Sequence, residues 1–198
     1  MRTDNIKGGL RLLALALALT ALIPNKTAAQ VGGSSSCPAS GPAGVGALHR
    51  EWILVGWEKQ VGDGPFIFRE KLGKYYDFSA HDVVLYDDFD PRKRVAHSAE
   101  EYGTFWEPTF SALRSVHHRV VNGPEVASGS GDLAASTLEF EARIEAADRK
   151  VTRIRTRSSL VWRCTGAGWK IIREHNSSVV IPSDPRDGFL DSHGAKTR

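Results

Sequence analysis

Two groups of side chains in this sequence have the types and spacing for proton transfer. The first is Asp87, which follows the apolar run Val83–Tyr86 and opens the stretch Asp87-Asp88-Phe89-Asp90-Pro91. A carboxylate at the mouth of an apolar pocket has its pKa raised toward working pH, which suits proton removal next to a carbonyl. The competing reading is local: Asp87, Asp88 and Asp90 are turn residues whose side chains satisfy nearby backbone amides. The second group is Arg173, His175 and Ser177. Strict alternation with Trp169 and Ile171 predicts that all five share the inward face of one strand. An inward arginine and histidine beside Trp162 and Trp169 would suit a phenolate, a carboxylate or a developing oxyanion. Histidine also exchanges protons near neutral pH; the competing reading makes His175 part of the scaffold. Tyr76, Tyr86, Tyr102 and Trp106 could line the same pocket and orient an aromatic ligand, although aromatics so spaced also build cores.

The sequence carries no glycine-rich phosphate loop, no His-Glu-x-x-His and no Cys-x-x-Cys. His117-His118 sends one ring inward and one outward, which is not by itself a metal site. Asn176-Ser177-Ser178 spells a glycosylation sequon, but inside a strand. The expected chemistry is therefore acid–base catalysis with no cofactor and no metal.

These residues need elements to hold them. Leu48–Gln60 reads as a helix with Trp52, Val55 and Gly56 along one side, stopped by Gly62-Asp63-Gly64-Pro65. A second helix is expected over Phe66–Tyr76, and Ser98 with Glu101 forms a capping box that opens a third. After Leu113 the pattern turns extended, with strands over His117–Val121, Asp132–Glu145, Thr152–Arg163 and Trp169–Val180. Leu138, Phe140, Ala142 and Ile144 share an apolar face, as do Ile154, Thr156, Ser158, Leu160 and Trp162 on the next strand. Glu139 and Glu141 then meet Arg153, Arg155 and Arg157 outside, as a solvated face or an oligomer interface. Three helices covering one face of an antiparallel sheet is an α+β layout.

The ends of the chain differ from its middle. Residues 1–29 read as a signal peptide: Arg2, Lys7 and Arg11 give a basic start to the apolar run Leu10–Ile23, Pro24 breaks it, and Thr27-Ala28-Ala29 offers a cleavage site. The run is shorter than the roughly 20 residues that span a bilayer, so no lasting membrane insertion is expected. Residues 30–47 read as a flexible linker, 48–182 as one domain and 183–198 as a polar tail. The formal net charge of +3 comes from the leader; beyond residue 29 the 26 basic and 23 acidic residues fall to 22 and 22. A neutral surface offers no footprint for nucleic acid. Export to the periplasm or beyond would permit a Cys37–Cys164 bridge, with two unpaired thiols as the alternative.

The run Ser159–Ser177, with Gly166-Ala-Gly168 as its turn and Trp169-Lys-Ile-Ile-Arg-Glu-His175-Asn-Ser177 as its end, resembles the last hairpin of the SnoaL-like, DUF4440-like branch of the NTF2-like superfamily. Gly131-Asp132-Leu-Ala is similar to the start of a strand in that branch, and the resemblance covers about Leu48–Pro182. It implies a cone of helices and a strongly curved antiparallel sheet around a largely apolar pocket, often in homodimers. Asp82–Asp87 resembles the strand of ketosteroid isomerases that ends in their general-base aspartate. The oxyanion-hole aspartate of those enzymes falls at Leu160, and their tyrosine falls near Val55 and Trp57, so steroid isomerisation by that route is disfavoured.

A fold of this kind hosts many functions. The leading expectation is an exported, cofactor-independent isomerase, dehydratase or lyase acting on a small hydrophobic, aromatic or polycyclic hydroxylated compound. Asp87 and His175 would exchange protons, with Arg173, Ser177, Tyr76, Tyr86, Tyr102, Trp106 and Trp162 binding substrate. The alternative is a non-catalytic module that binds a small ligand or oligomerises.

Overall fold

Long stretches of alternating polar and apolar residues after Leu113 can satisfy their backbone only by pairing with one another, and they do. The computed structural model describes residues 37–129 and 132–182. The expected signal peptide, residues 30–36 of the linker and the tail 183–198 lie outside the described residues. Helix α1 (Val45–Glu51) runs into a π-helical turn (Trp52–Gly56), followed by the short helix α2 (Phe68–Leu72). Strands β1 (Val84–Asp87) and β2 (Val95–Ala96) precede helix α3 (Ala99–Ala112). Four long strands complete the domain: β3 (Ser115–Ser128), β4 (Leu133–Glu145), β5 (Val151–Thr165) and β6 (Gly168–Val180). No helix among the described residues is long and apolar enough to cross a membrane.

The six strands form one sheet in the order β2-β1-β6-β5-β4-β3. All pairs are antiparallel except β1 on β6, which run parallel, so the expectation of a purely antiparallel sheet is corrected at this one junction. Leu138, Phe140, Ala142, Ile154, Leu160 and Trp162 are buried on the inner face, as alternation requires. Irregularities in β3 after Val120 and Asn122 help the sheet to curl. Gly123 sits in one of them at φ +83°, where a Cβ would approach the Thr137 carbonyl oxygen to 2.9 Å. A side chain there meets both a left-handed backbone and a neighbouring strand.

The first helix differs from the regular helix expected over Leu48–Gln60. Its second half bonds five residues back, with the Trp57 amide donating to the Trp52 carbonyl. The wider turn brings Trp52, Ile53, Gly56 and Trp57 to the interior and leaves Val55 exposed. Gly56 is required for the close approach to α2: a Cβ there would lie 2.5 Å from Leu72 Cδ2. Helix α3 starts where its capping signal predicts. Ser98 Oγ accepts from the Glu101 amide, while Glu101 reaches back to the His97 amide rather than to that of Ser98. Its far end is held by Lys59, whose Nζ donates to the carbonyls of Phe110 and Ser111.

Cys37 and Cys164 are bonded to each other, which decides between the two readings of the cysteines. The bond pins the stretch before α1 to the end of β5, where the Trp169 indole also donates to the Pro38 carbonyl. Part of the stretch assigned to the linker is therefore tied down, and α1 already begins at Val45. Closing a loop with a sequence separation of 127 constrains the unfolded chain by about 5 kcal/mol in the chain-entropy picture. Reduction, or Cys37→Ser, should lower the melting temperature by on the order of 10 °C. An unchanged melting curve under reducing conditions would count against a structural bond.

Candidate active site

The inner end of β1 carries the first predicted residue into the interior. Asp87 pairs in register with Asn176 of β6, and its Oδ2 accepts from Asn176 Nδ2 at 3.0 Å. Its Oδ1 accepts from the Phe89 amide at 2.8 Å, so the turn role and the interior role fall on the same carboxylate. Burial raises the Asp87 pKa to about 6, with smaller contributions from the charges of Asp88 and Asp90, against the Phe89 and Asn176 hydrogen bonds. Asp87 lines an apolar cavity of about 60 Å³ beneath the helices, together with Trp106, the expected wall residue.

The opposite wall holds a pair that sequence reasoning left unassigned. Lys59 bridges to Val116 through both backbone groups, at 3.0 and 2.9 Å. That bridge sets Glu58 against the start of β3. One Glu58 oxygen accepts from the His118 amide at 2.5 Å and lies 3.0 Å from His118 Nδ1; the other lies 3.2 Å from His117 Nδ1. Burial pushes the Glu58 carboxyl up, but the hydrogen bonds and charge of His118, with the His117 bond, hold it below the ordinary value. His118 lines the cavity beside Val116 and Phe140. With Nδ1 on Glu58, Nε2 is the nitrogen left for a substrate.

β1 and β3 are separated by three strands. On a flat sheet, four steps of about 4.8 Å would put Asp87 and His118 roughly 19 Å apart. Both line one small cavity, because the sheet curls around it. The signal for His118 was present: Val116 and Val120, two residues either side, mark the apolar face.

The inward placement expected for Arg173, His175 and Ser177 is corrected. Val161 pairs with Arg173 but Trp162 with Ile171, so Ile172 is an extra residue in β6. A bulge of one residue reverses the faces of everything beyond it. Trp169 and Ile171 point inward as expected, and then Glu174, Asn176 and Ser178 do, leaving Arg173, His175 and Ser177 exposed on the outer face. Arg173 donates to the carbonyls of Asp82 and Ile172, and Ser177 Oγ donates to Asp88. His175 packs edge-on against Tyr86, 5.3 Å between ring centres, on the same outer face. Trp162 is buried away from the cavity, its indole donating to Ser136 Oγ at 2.8 Å. On the outer face, Glu141 and Arg153 are buried rather than solvated: Arg119, Arg153 and Arg155 converge on the one carboxylate.

Tyr76 and Tyr102 are buried as well, but their hydroxyls both donate to Glu174. Tyr76 in turn accepts from the Trp52 indole at 3.0 Å, and Asn176 Nδ2 donates to Glu174 Oε1 at 2.8 Å. Glu174 is only 3% exposed, and burial raises its pKa to about 8, with Asp87's charge adding to the effect of burial and the two tyrosines and Asn176 opposing it. Asp87 and Glu174 therefore carry about one negative charge between them near neutral pH. A third buried group, His49, bonds Ser136 Oγ and Ser158 Oγ through its two nitrogens, and burial lowers its pKa to about 3.

Residues 72–182 match the SnoaL-like domain, and the chain belongs to that family. Among solved structures, the hexachlorocyclohexane dehydrochlorinase LinA-type3 from Novosphingobium barchaimii is 10% identical, with 70% of this chain and 86% of that chain covered and a TM-score of 0.53. A protein from Xanthomonas campestris, named for the calcium/calmodulin dependent protein kinase II association domain, is 21% identical over 75% of this chain and 94% of its own, at 0.52. A conserved protein from Planctomyces limnophilus is 15% identical over 68% and 92%, at 0.51. At these identities the likeness is one of fold. No curated protein matches the chain in sequence.

The buried groups make stability depend on pH in opposite senses. Glu174 has a folded pKa of about 8 against an ordinary 4.5, so its contribution is complete below 4.5 and is lost as pH rises through 8. Asp87 behaves alike between 3.8 and about 6. His49's contribution is present above 6.5 and is lost as pH falls toward 3. Each group changes stability by at most about 1.4 kcal/mol per pH unit. Between about pH 6.5 and 8 Glu174 acts almost alone, so denaturant titrations should show stability falling there, with Glu174→Gln flattening the slope. A wild-type stability that rises across this range contradicts a buried neutral acid.

Proposed function

We propose that this protein is a cofactor-independent acid–base enzyme, an isomerase, dehydratase or lyase. The observation that carries the reading is that His118, held by Glu58, and Asp87 line the same apolar cavity. His118 takes a proton from carbon, and Glu58 steadies the imidazolium that results. Asp87, with its pKa lifted to about 6, gives a proton to the departing or rearranging group on the other wall. His118 takes the role expected of His175. The dehydrochlorinase that shares the fold is named for an elimination, a reaction that needs such a base.

The cavity limits the substrate. About 60 Å³ is well under the roughly 150 Å³ that accommodates benzene, so a polycyclic compound does not fit inside. The substrate is short, or only its reacting end enters past Phe89. Export to the periplasm or outside the cell belongs to the same proposal, supported by the leader-like start and by the Cys37–Cys164 bond, which persists in oxidising compartments.

His118→Gln should lower kcat/KM on a panel of small β-hydroxy and β-halo compounds by on the order of 10²–10⁴-fold, with little change in melting temperature. Loss of the Asp87 proton should lower the rate as pH rises through about 6. Wild-type turnover by the His118→Gln protein removes His118 from the role of base, and binding without turnover across the panel overturns the enzymatic reading in favour of a ligand-binding module. The outer face, where Val84 and Val161 lie half-buried beside Tyr86, Arg173 and His175, supports a homodimer formed through the sheet. Sedimentation velocity should give the mass of a dimer; a monomer at all concentrations rules this assembly out.

A further inference from the structure

The cavity has room for little more than the reacting atoms themselves. Benzene, with six heavy atoms, takes roughly 150 Å³, so a cavity of about 60 Å³ holds roughly two or three. The carbon that loses a proton, its neighbour and the departing atom already fill it. Everything else in the substrate must lie at the mouth. Exposure locates that mouth, because Trp52, Trp57, His118 and Phe140 are buried on the floor. Besides Asp87, the lining residues that keep exposure are Phe89, Thr109, Phe110, Leu113, Ile144 and Ser178. They stand at the C-terminal ends of β1, α3, β4 and β6 or just beyond them. Those three strands run the same way, so the cavity opens at one end of the sheet.

The apolar surface does not stop there. Val180 lies two residues past Ser178 and pairs in register with Ile154, a lining residue, so its side chain continues the inner face of the sheet outward from the cavity. It is 70% exposed, and Phe89 is 36% exposed. A single exposed valine is ordinary, whereas apolar side chains that carry a cavity wall out into solvent mark where a ligand lies. Charge narrows the class. Among the described residues lining the cavity, the titratable groups are Asp87 and His118, and no lysine or arginine joins them. Arg114, beside Leu113, is engaged by Glu145 at 2.8 Å. A charged group laid on this rim would leave water without a counter-charge.

We propose that the substrate is an uncharged molecule in two parts: a small head that reacts inside the cavity, and an apolar tail that lies along Phe89, Leu113 and Val180 on the rim. This rests on the acid–base reading above and selects, from the two kinds of substrate it allows, the one whose reacting end alone enters. Most of the affinity then comes from the tail, since so small a head buries little apolar area. Contact with the tail also fixes how deep the head sits, and so which carbon His118 meets.

The test is a titration of the protein with methyl ketones of increasing length, 2-butanone, 2-hexanone and 2-octanone, followed by the methyl signals in ¹H–¹³C NMR spectra. Each methylene resting on the rim with one side in water should tighten binding about two-fold, so 2-octanone should bind about ten-fold or more tightly than 2-butanone. The Val180 methyl signals should move with 2-octanone. 7-Oxooctanoate has the same length with a carboxylate at its far end, and should lose most of that gain. Val180→Asp, at an exposed position, should cut the gain to about three-fold or less, whereas Val55→Asp, exposed on the π-turn, should keep it. Equal binding of the three ketones overturns the proposal, and is the result that residues past 182 or a second copy seated on the rim would give. A gain that survives in Val180→Asp, or 7-oxooctanoate binding as tightly as 2-octanone, overturns it too. Turnover is read separately. A full gain with no elimination from β-hydroxy ketones of the same lengths keeps this assignment and removes the catalytic reading, so the two failures are distinct.

Discussion

A carboxyl group sealed in an apolar interior is tolerated only if its surroundings supply hydrogen bonds, and Glu174 draws those bonds from every layer of the fold. Tyr76 comes from the segment after α2, Tyr102 from α3 and Asn176 from β6; Trp52, on the π-turn, reaches Tyr76. The hydrocarbon contacts around them are non-directional and would accept small slides of helix on sheet. The hydroxyl and amide contacts would not. They hold the helices in one position over the sheet, and through Asn176 they hold Asp87 as well.

The other wall is held by different means. Glu58 owes its position to a backbone bridge between Lys59 and Val116, and Lys59 in turn caps α3. Each of the two acid–base groups is thus seated beside a strand end whose geometry is fixed by main-chain bonds, with the apolar cavity between them. A hydrogen-bonded histidine and a carboxyl of raised pKa, kept apart by hydrocarbon, differ enough in environment to take opposite roles in one reaction.

Much of this was legible from residue order alone. The inward faces of β4 and β5 follow from unbroken alternation, and the start of α3 follows from Ser98 and Glu101. β6 was misread beyond one point, because alternation fails wherever a strand carries an extra residue. Ile171-Ile172, two adjacent apolar residues where the pattern asks for one, was the mark of it. The π-turn was hidden likewise: Trp52 and Trp57 share the interior only when the helix is widened. Glu58 and His118 stand 60 positions apart and meet through the sheet's curl, which no local pattern encodes. The parity of Val116, His118 and Val120 nonetheless pointed one imidazole inward.

The place of β6 in the sheet bears on how the domain assembles. It lies between β1 and β5, and among the described residues the β1–β2 pair joins the other strands only through it. During synthesis the helices, β1 and β2 leave the ribosome long before the strand that must join them to the rest. Until Gly168–Val180 is available, β1 has no long partner, and Asp87 and Glu174 have no shared setting. The interior is therefore completed late and in one step, through contacts far apart in sequence, which is the slow class of folding. A nascent chain with its first half exposed for that interval is the state in which a chaperone would meet this protein.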